Sequence, residues 1–160
     1  AIGDCAQQRE AIGERKSVEA VWYTGRMMGE TLAQTLCGNS MEWNPGNWFN
    51  SAKFMDIEYQ TYGWVWNKPK DGHEHYHWQD DKNERAITIE YDMASRKFIG
   101  INTFGIRMKH EVFDQWLTDE ESVDHVIEHL SESCFNPEFY KRPFEAIKKD
   151  FERNARLETA

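Results

Sequence analysis

The sequence has only three cysteines, fewer basic than acidic residues and no long hydrophobic run. Its three cysteines include no Cys-x-x-Cys pair, which excludes a redox disulfide of that kind within this chain and agrees with a cytoplasmic environment. No apolar run approaches the roughly 18 residues that a membrane helix needs. Lysine and arginine total 19 against 28 acidic residues, so the formal charge is -9 and neither nucleic acid nor an anionic membrane is an expected partner.

The amino-terminal stretch has the pattern of a ligand site at a sheet edge. Ala1-Ile2 predicts the end of an apolar strand, and the chain starts there with Ala rather than Met, so we expect an upstream part of a larger protein. Gly3 permits a tight turn, and Asp4 would place a carboxylate at the carboxyl end of that strand. Open α/β sheets bind their ligands at this edge.

Apolar and small residues then recur at steps of three and four, which predicts a helix beginning near Ser17 and stopping at Gly38. The members of this pattern are Val18, Val21, Trp22, Gly25, Met28, Gly29, Leu32, Ala33 and Leu36. Gly25 and Gly29 lie on one face of the helix. Since each costs about 1 kcal/mol relative to alanine, we expect a neighbouring backbone or a flat ring to approach them closely.

This spaced set resembles the end of the FAD-binding domain in the pyridine nucleotide-disulfide oxidoreductase superfamily, especially its ferredoxin reductase and apoptosis-inducing-factor branch. The residues that carry the resemblance are Gly3-Asp4-Cys5-Ala6, Arg15, Trp22, Gly25, Gly29, Ala33 and Leu36-Cys37-Gly38. It implies that residues 1–38 are the remnant of a FAD-binding domain. It also implies that residues 39–160 are a C-terminal interface or dimerisation domain, although these match only in the order of elements.

The resemblance further implies FAD in a full-length parent that takes electrons from NAD(P)H and passes them to an iron-sulfur protein, a quinone or oxygen. The NAD(P)H site would lie upstream, and the isolated chain would be inactive. Gly3 and Asp4 would hold the ribityl chain, and the helix start at Val21, Trp22 and Tyr23 would face the flavin pyrimidine, where a positive helix end favours negative charge. The family commonly has an acid where Ala20 stands here. No histidine precedes Pro137, which points away from disulfide-reductase chemistry.

The remaining sequence predicts an α+β fold, in which an antiparallel sheet of about three to five strands is covered by C-terminal helices. Trp43 and Trp48 flank a turn at residues 44–47 and would either form a docking surface or anchor the chain. Strands are predicted at Lys53–Trp66, His75–Gln79, Ala86–Tyr91 and Lys97–Phe104, the last two as a hairpin. Helices are predicted at His110–Leu117, Glu120–Ser131 with a capping box at Thr118, and Pro137–Arg156 with a break at Pro143.

Other patterns leave alternatives open. His73, His75 and His77 alternate on a predicted strand, and we favour an exposed strand over a metal site there. His125-Val126-Ile127-Glu128-His129 matches a zinc-peptidase pattern, which we interpret as chance because the histidines would face solvent. A second function, a non-catalytic interaction module for a homodimer or a small redox protein, depends on whether Trp64, Trp66 and Trp78 are buried within the chain. The basic groups Arg26, Arg107 and Lys109 are candidates for such a contact.

Overall fold

The computed structural model of the protein describes residues 1–136, 138 and 143–158. The chain divides into two compact units, residues 1–50 and 51–160. The division at residue 38 that the family resemblance implies remains a prediction. No helix in the described part of the chain is long and apolar enough to span a bilayer.

The first unit contains one helix, α1, at Trp22–Leu36. It ends as predicted, because the Cys37 N–H donates to Ala33 O and Gly38 adopts a φ of +94°. The predicted start at Ser17 is wrong: Val21 is the extended N-cap residue, and the Ser17 carbonyl accepts a hydrogen bond from the Gln8 N–H at 2.8 Å. This pairing holds Ser17 out of the helix. Ala1 and Ile2, predicted to end a strand, are not part of a strand in this structure.

The five strands form one antiparallel sheet, with the order β1-β2-β5-β4-β3. Their bounds are β1 Phe49–Phe54, β2 Ile57–Gly63, β3 His73–Gln79, β4 Ala86–Asp92 and β5 Phe98–Phe104. The predicted hairpin is confirmed as β4 and β5, in register at Ile89 and Ile101. A register shift beside Tyr91 pairs that residue with Phe98, so that Phe98 rather than Ile99 lines the core.

The single strand predicted at Lys53–Trp66 is wrong, because β1 and β2 are separated by a tight turn at Met55-Asp56, with Met55 at a φ of +52°. The buried side chain of β2 is that of Tyr62, whose hydroxyl donates to Met108 O at 3.2 Å, and the Gln60 side chain also bonds the Met108 backbone. The polar groups of Tyr62 and Gln60 can therefore face the interior, because the Met108 backbone supplies their hydrogen-bond partners.

Helices cover one face of the sheet, which confirms the predicted α+β class. They are α2 at His110–Thr118, α3 at Val123–His129, a 3₁₀ turn at Leu130–Ser133, and α4 at Phe144–Glu158. The predicted apolar stripe of Val123, Val126, Ile127 and Leu130 is buried. Ser122, not Thr118, caps α3 by accepting from the His125 N–H, so the predicted start at Glu120 is wrong; Glu120 adopts a φ of +57°. Residues 137 and 139–142 of the last predicted helix lie outside the described residues.

Candidate cofactor site at the start of helix α1

Gly3 and Asp4 form a turn, as the sequence predicts. Gly3 adopts a φ of +89°, which is open to glycine, and its carbonyl accepts from the Ala6 N–H at 2.9 Å. The Asp4 side chain is exposed. The turn thus presents a carboxylate to solvent, available to accept hydrogen bonds.

The turn packs against α1 at the predicted glycines. A Cβ built on Gly25 would lie 3.6 Å from Asp4 Oδ1 and 3.7 Å from Gly3 Cα, and one on Gly29 would lie 4.0 Å from Ile2 Cδ1. A backbone atom therefore lies beside Gly25, whereas Gly29 meets only a side-chain methyl, and the predicted close approach is not found at either glycine. These are ordinary van der Waals distances, so the Gly3-Asp4 turn alone does not exclude an alanine at position 25.

The start of α1 has no side-chain cap and no acidic residue in its first turn. Val21 is the N-cap, and its carbonyl accepts from the Gly25 N–H at 3.0 Å. Trp22 is 66% exposed and its indole meets the Tyr23 ring edge-on at a centroid distance of 5.3 Å. The Tyr23 ring in turn lies 5.1 Å from that of Phe49. The positive end of the helix thus lies beside an exposed aromatic surface and can interact with a negatively charged, flat group.

A buried ion pair that the sequence analysis missed holds the residues before α1. Arg15 and Glu19 are 9% and 7% exposed, and their Nη1 and Oε2 atoms are 2.9 Å apart. Glu19 Oε2 also accepts from the Thr24 hydroxyl, whereas Glu19 Oε1 is buried without a hydrogen-bond partner. In the sequence, this ion pair could have been predicted from the four-residue spacing of Arg15 and Glu19 just before the helix.

Arg15 also fixes the turn at residues 44–47. Its Nη2 atom donates to the carbonyl oxygens of Pro45, Gly46 and Asn47 at 3.2 to 3.3 Å. The guanidinium carbon lies 5.3 Å from the centroid of the Trp48 ring. Trp43 and Trp48 are both half-buried, so neither the docking nor the anchoring interpretation describes them fully. Arg15, a member of the resemblance motif, therefore has a structural role in this unit.

A cleft of about 230 Å³ lies beside α1 within the first unit. Met28, Leu32, Met41 and Trp43 contribute to its lining, together with Gln8. Trp43 Nε1 and Gln8 Oε1 are buried and have no hydrogen-bond partner in the structure. Both groups are inaccessible to solvent, so they do not define a ligand for the cleft.

The histidine patterns are explained by contacts other than metal ligation. His73 and His75 bond Glu90, and His77 Nδ1 lies 2.9 Å from Thr88 Oγ1, so the predicted exposed strand is wrong for the half-buried His73 and His75. His125 and His129 stack at 4.2 Å, and Glu128 pairs with Lys148 instead. Among the residues that the structure describes, no group of three or more histidine, cysteine or acidic side chains is arranged to hold a metal ion.

The fold is similar to that of two solved structures of larger proteins. A FAD-dependent pyridine nucleotide-disulphide oxidoreductase from Desulfovibrio vulgaris aligns with 94% of this chain, at a TM-score of 0.60 and 11% identity. Reduced CoADR-RHD from Bacillus anthracis aligns with 93% of it, at a TM-score of 0.58 and 16% identity. This chain spans only 37% and 29% of those two chains. No protein-family model and no curated protein matches the sequence.

The resemblance inferred from residues 1–38 is thus confirmed at the level of the fold. The chain has the fold of about one third of the Desulfovibrio vulgaris oxidoreductase and of the Bacillus anthracis protein. The match extends over more than nine tenths of the chain and therefore includes both the α1 unit and the sheet unit.

Proposed function

We propose that this chain is the C-terminal part of a FAD-dependent oxidoreductase that passes electrons from NAD(P)H to an acceptor such as an iron-sulfur protein, a quinone or oxygen. The observation that carries the proposal is the packing of the Gly3-Asp4 turn against Gly25, one turn into the uncapped helix α1. The fold shared with the FAD-dependent oxidoreductase from Desulfovibrio vulgaris supports it. The nicotinamide site belongs, in this proposal, to residues upstream of the chain.

The residues around the α1 start fit part of a FAD molecule. The exposed Asp4 carboxylate can accept hydrogen bonds from hydroxyl groups such as those of a ribityl chain. Val21, Trp22 and Tyr23 begin the helix, whose positive end favours the negative charge of a reduced flavin. A Cβ at Gly25 would make only ordinary van der Waals contacts, so its neighbours in this structure do not require glycine. In this proposal, the glycine leaves space for the flavin ring.

FAD, when bound, supplies the chemistry that accepts a hydride and releases electrons. The part of this chain would be to bind the cofactor through Asp4 and to stabilise negative charge at the helix start. The Arg15-Glu19 pair would not contact the cofactor. It would position the start of α1, because it holds the segment that enters this helix and the turn at residues 45–47.

An absorbance spectrum of the full-length parent tests the reaction class. Visible flavin bands that bleach on addition of NADH without oxygen are expected, and a protein that remains colourless after incubation with FAD would contradict the proposal. Asp4→Asn in the parent should weaken FAD retention about tenfold or more, because the acceptor loses its charge and one of its two accepting oxygens. Asp81→Asn, at an exposed aspartate of the β3–β4 turn, is the matched control and should retain FAD normally.

A second candidate function, protein interaction without chemistry, is favoured by the tip of the β1–β2 hairpin. Phe54, Met55 and Ile57 are 65%, 95% and 59% exposed, an unusual concentration of apolar surface. Trp64, Trp66 and Trp78 are each half-buried, so their burial does not distinguish an interaction module from an enzyme. Sedimentation equilibrium of the 160-residue chain should show association that Met55→Glu abolishes and Met93→Glu, at another exposed turn, does not. A monomeric wild-type chain would remove the homodimer from consideration.

A further inference from the structure

Strand β3 is one edge of the five-stranded sheet, because β4 is the only strand that pairs with it among the residues that the structure describes. Its residues, His73–Gln79, pair with β4 in one antiparallel register that no bulge interrupts. The strand contains no lysine, arginine or proline, the residues that commonly keep an exposed edge from pairing with another chain. β3 is therefore a regular edge strand without the usual protection.

Two hydrogen bonds at the ends of the β3–β4 ladder show which residues of β3 bond β4. The Met93 N–H donates to Gly72 O at 2.9 Å, and the Asp80 N–H donates to Arg85 O at 3.0 Å. In an antiparallel pair, only every second residue of a strand bonds its neighbour. Because the register is continuous from one end to the other, the residues of β3 that bond β4 have even numbers.

The backbone N–H and C=O groups of the odd-numbered residues point away from β4, to the open edge. At the start of the strand, the His73 N–H donates to Lys70 O at 2.9 Å. In the described part of the chain, no backbone hydrogen bond outside the ladder involves His75, His77 or Gln79. These three residues therefore present a row of donors and acceptors that a further strand can pair with.

The two faces of β3 differ beside this edge. Tyr76 is buried on the face that the helices cover, where its hydroxyl donates to Ile147 O at 3.0 Å. Trp78 lies on the same face, two residues further along, and is half-buried. His77 and Gln79 lie on the opposite face and are exposed. A strand added here would place alternate side chains beside Trp78, which favours apolar residues, and beside His77 and Gln79, which favours polar ones.

Charge distinguishes a second copy of the chain from a different partner at this edge. The chain has a formal charge of -9, so two copies repel each other, whereas a positively charged segment is attracted. Within β3, Glu74 is the one acidic residue, and lysine and arginine are absent. The flanking turns contain both signs, with Lys70 and Lys82 next to Asp71 and Asp81. The attraction therefore comes mainly from the overall charge of the chain.

We propose that β3 is a docking site at which an extended, positively charged segment of a partner protein adds a sixth strand to the sheet. Main-chain hydrogen bonds to His75, His77 and Gln79 supply the affinity, and the alternation of apolar and polar residues in the segment supplies the specificity. The segment contains no proline in its paired part, since proline has no N–H to donate. This docking site requires neither FAD nor the hairpin tip at Met55.

Amide hydrogen exchange of the 160-residue chain, measured by NMR and corrected for intrinsic rates, first tests whether the edge is open. The amides of His75, His77 and Gln79 should exchange about tenfold faster than those of Tyr76 and Trp78, because only the latter donate to β4. Equal exchange at all five amides in a monomeric chain would show that the edge is covered and would overturn the proposal. Equal exchange in a chain that sediments as a dimer would identify a second copy as the occupant and would overturn it too.

A synthetic peptide, Lys-Thr-Val-Thr-Val-Thr-Val-Lys, serves as the probe for the partner segment. At about 1 mM peptide, the amides of His75, His77 and Gln79 should gain about fivefold protection, whereas those of Tyr76 and Trp78 should change less than about twofold. The proline peptide Lys-Thr-Pro-Thr-Val-Pro-Val-Lys should leave all five amides unchanged. No gain, an equal gain at all five amides, or the same gain with the proline peptide would overturn the proposal.

A third peptide tests the sign of the charge. Replacing both lysines of the first peptide with glutamate should weaken binding about two- to threefold at low ionic strength, and added salt should remove the difference. The dissociation constants follow from the amide shifts of His77 during the titration. A glutamate peptide that bound as tightly as the lysine peptide would show that the partner assigned here has the wrong charge.

Proline substitutions in the chain provide the reciprocal test. His77→Pro removes an outward N–H without removing a hydrogen bond to β4, so it should lower the affinity for the lysine peptide about tenfold. Asp81→Pro is the matched control, because position 81 follows Asp80 in a turn closed by the Asn83 N–H and Asp80 O, where proline is favoured. Wild-type affinity in His77→Pro, or an equal loss in Asp81→Pro, would contradict the docking site. If His77→Pro fails to protect the Ile101 amide and is therefore misfolded, the comparison of the lysine and proline peptides decides.

Discussion

The interior of each of the two units is stabilised by a different kind of interaction. The sheet unit buries a set of large apolar side chains completely, among them Phe98, Phe113, Ile101 and Ile147. Residues 1–50 bury Met28 but no such set, and their buried side chains include Arg15, Glu19 and Thr24. Apolar burial is spread over many contacts that each contribute little, whereas a buried ion pair depends on each of its two partners. The first unit is therefore the more fragile of the two.

The largest effect should come from the core of the sheet unit. Phe113 is fully buried and stacks on Tyr62 at a centroid distance of 4.8 Å. Phe113→Ala should lower the free energy of unfolding by about 3 to 5 kcal/mol, because it removes apolar burial and leaves a cavity. Urea unfolding followed by circular dichroism measures this loss. A loss below about 1 kcal/mol would show that the core repacks and would weaken the contrast.

Arg15→Ala should destabilise the first unit by roughly 3 kcal/mol, because it leaves Glu19 buried without its partner. The expected signature is faster amide exchange in α1, with unchanged exchange at Ile101 in the sheet. Arg15→Leu combined with Glu19→Leu should lose less than Arg15→Ala, since no buried charge is stranded. If Arg15→Ala lowered amide protection equally in α1 and at Ile101, the two units would not differ in stability as we expect.

Alanine substitutions at two glycines test whether the sheet unit is packed more closely than the first unit. Gly100→Ala would place a Cβ 2.4 Å from Trp64 N, so a loss of about 1 to 3 kcal/mol is expected from the forced shift. Gly25→Ala meets nothing closer than 3.6 Å and should stabilise α1 by up to about 1 kcal/mol. Thermal unfolding of the two variants measures both effects. A destabilising Gly25→Ala would show that the first unit is as tightly packed as the sheet.

The smallest effect belongs to the surface pair of Arg96 and Asp124, which form two hydrogen bonds of 2.6 and 2.8 Å. The hydrogen bonds from Arg96 hold the pKa of Asp124 below its ordinary value. Stability from this pair is present above about pH 4 and is lost as the pH falls through the lower pKa. Asp124→Asn should cost less than about 1 kcal/mol at pH 7 in urea titrations and nothing measurable near pH 2. If Asp124→Asn lowered the free energy of unfolding equally at both pH values, the charge of Asp124 would not contribute to stability.

The sequence was most informative where one force dominates. The β4–β5 hairpin and the stripe from Val123 to Leu130 follow from apolar periodicity alone, and both are confirmed. The start of α1 was misplaced because Ser17 looks like an N-cap, and only the backbone pairing with Gln8 excludes it. Met55 in a positive-φ turn was read as part of a continuous strand, since its apolar side chain fits the alternation.

The candidate site was predictable only in part. The Gly3-Asp4 turn and the helix glycines have local signatures, and the structure brings them together. The contacts of Glu90 with His73 and His75 join neighbouring strands, and the hydrogen bond from the Trp66 N–H to Glu90 Oε2 requires a loop that crosses the sheet. No local pattern encodes such a long-range contact, although a lone glutamate inside the apolar run of β4 was an unused sign.

The connection from β2 to β3, which includes residues 64–66, has a consequence for the order of folding. β2 and β3 follow one another in the chain but are separated in the sheet by β5 and β4, so the connection must cross two strands that are synthesised later. Trp64 rests on Gly100 and Trp66 on Glu90, and neither support exists until the β4–β5 hairpin has formed. Local hairpins form in microseconds, and contacts between distant parts of the chain form more slowly. We therefore expect the hairpin to nucleate this unit and the tryptophan stack to be among its last parts to form.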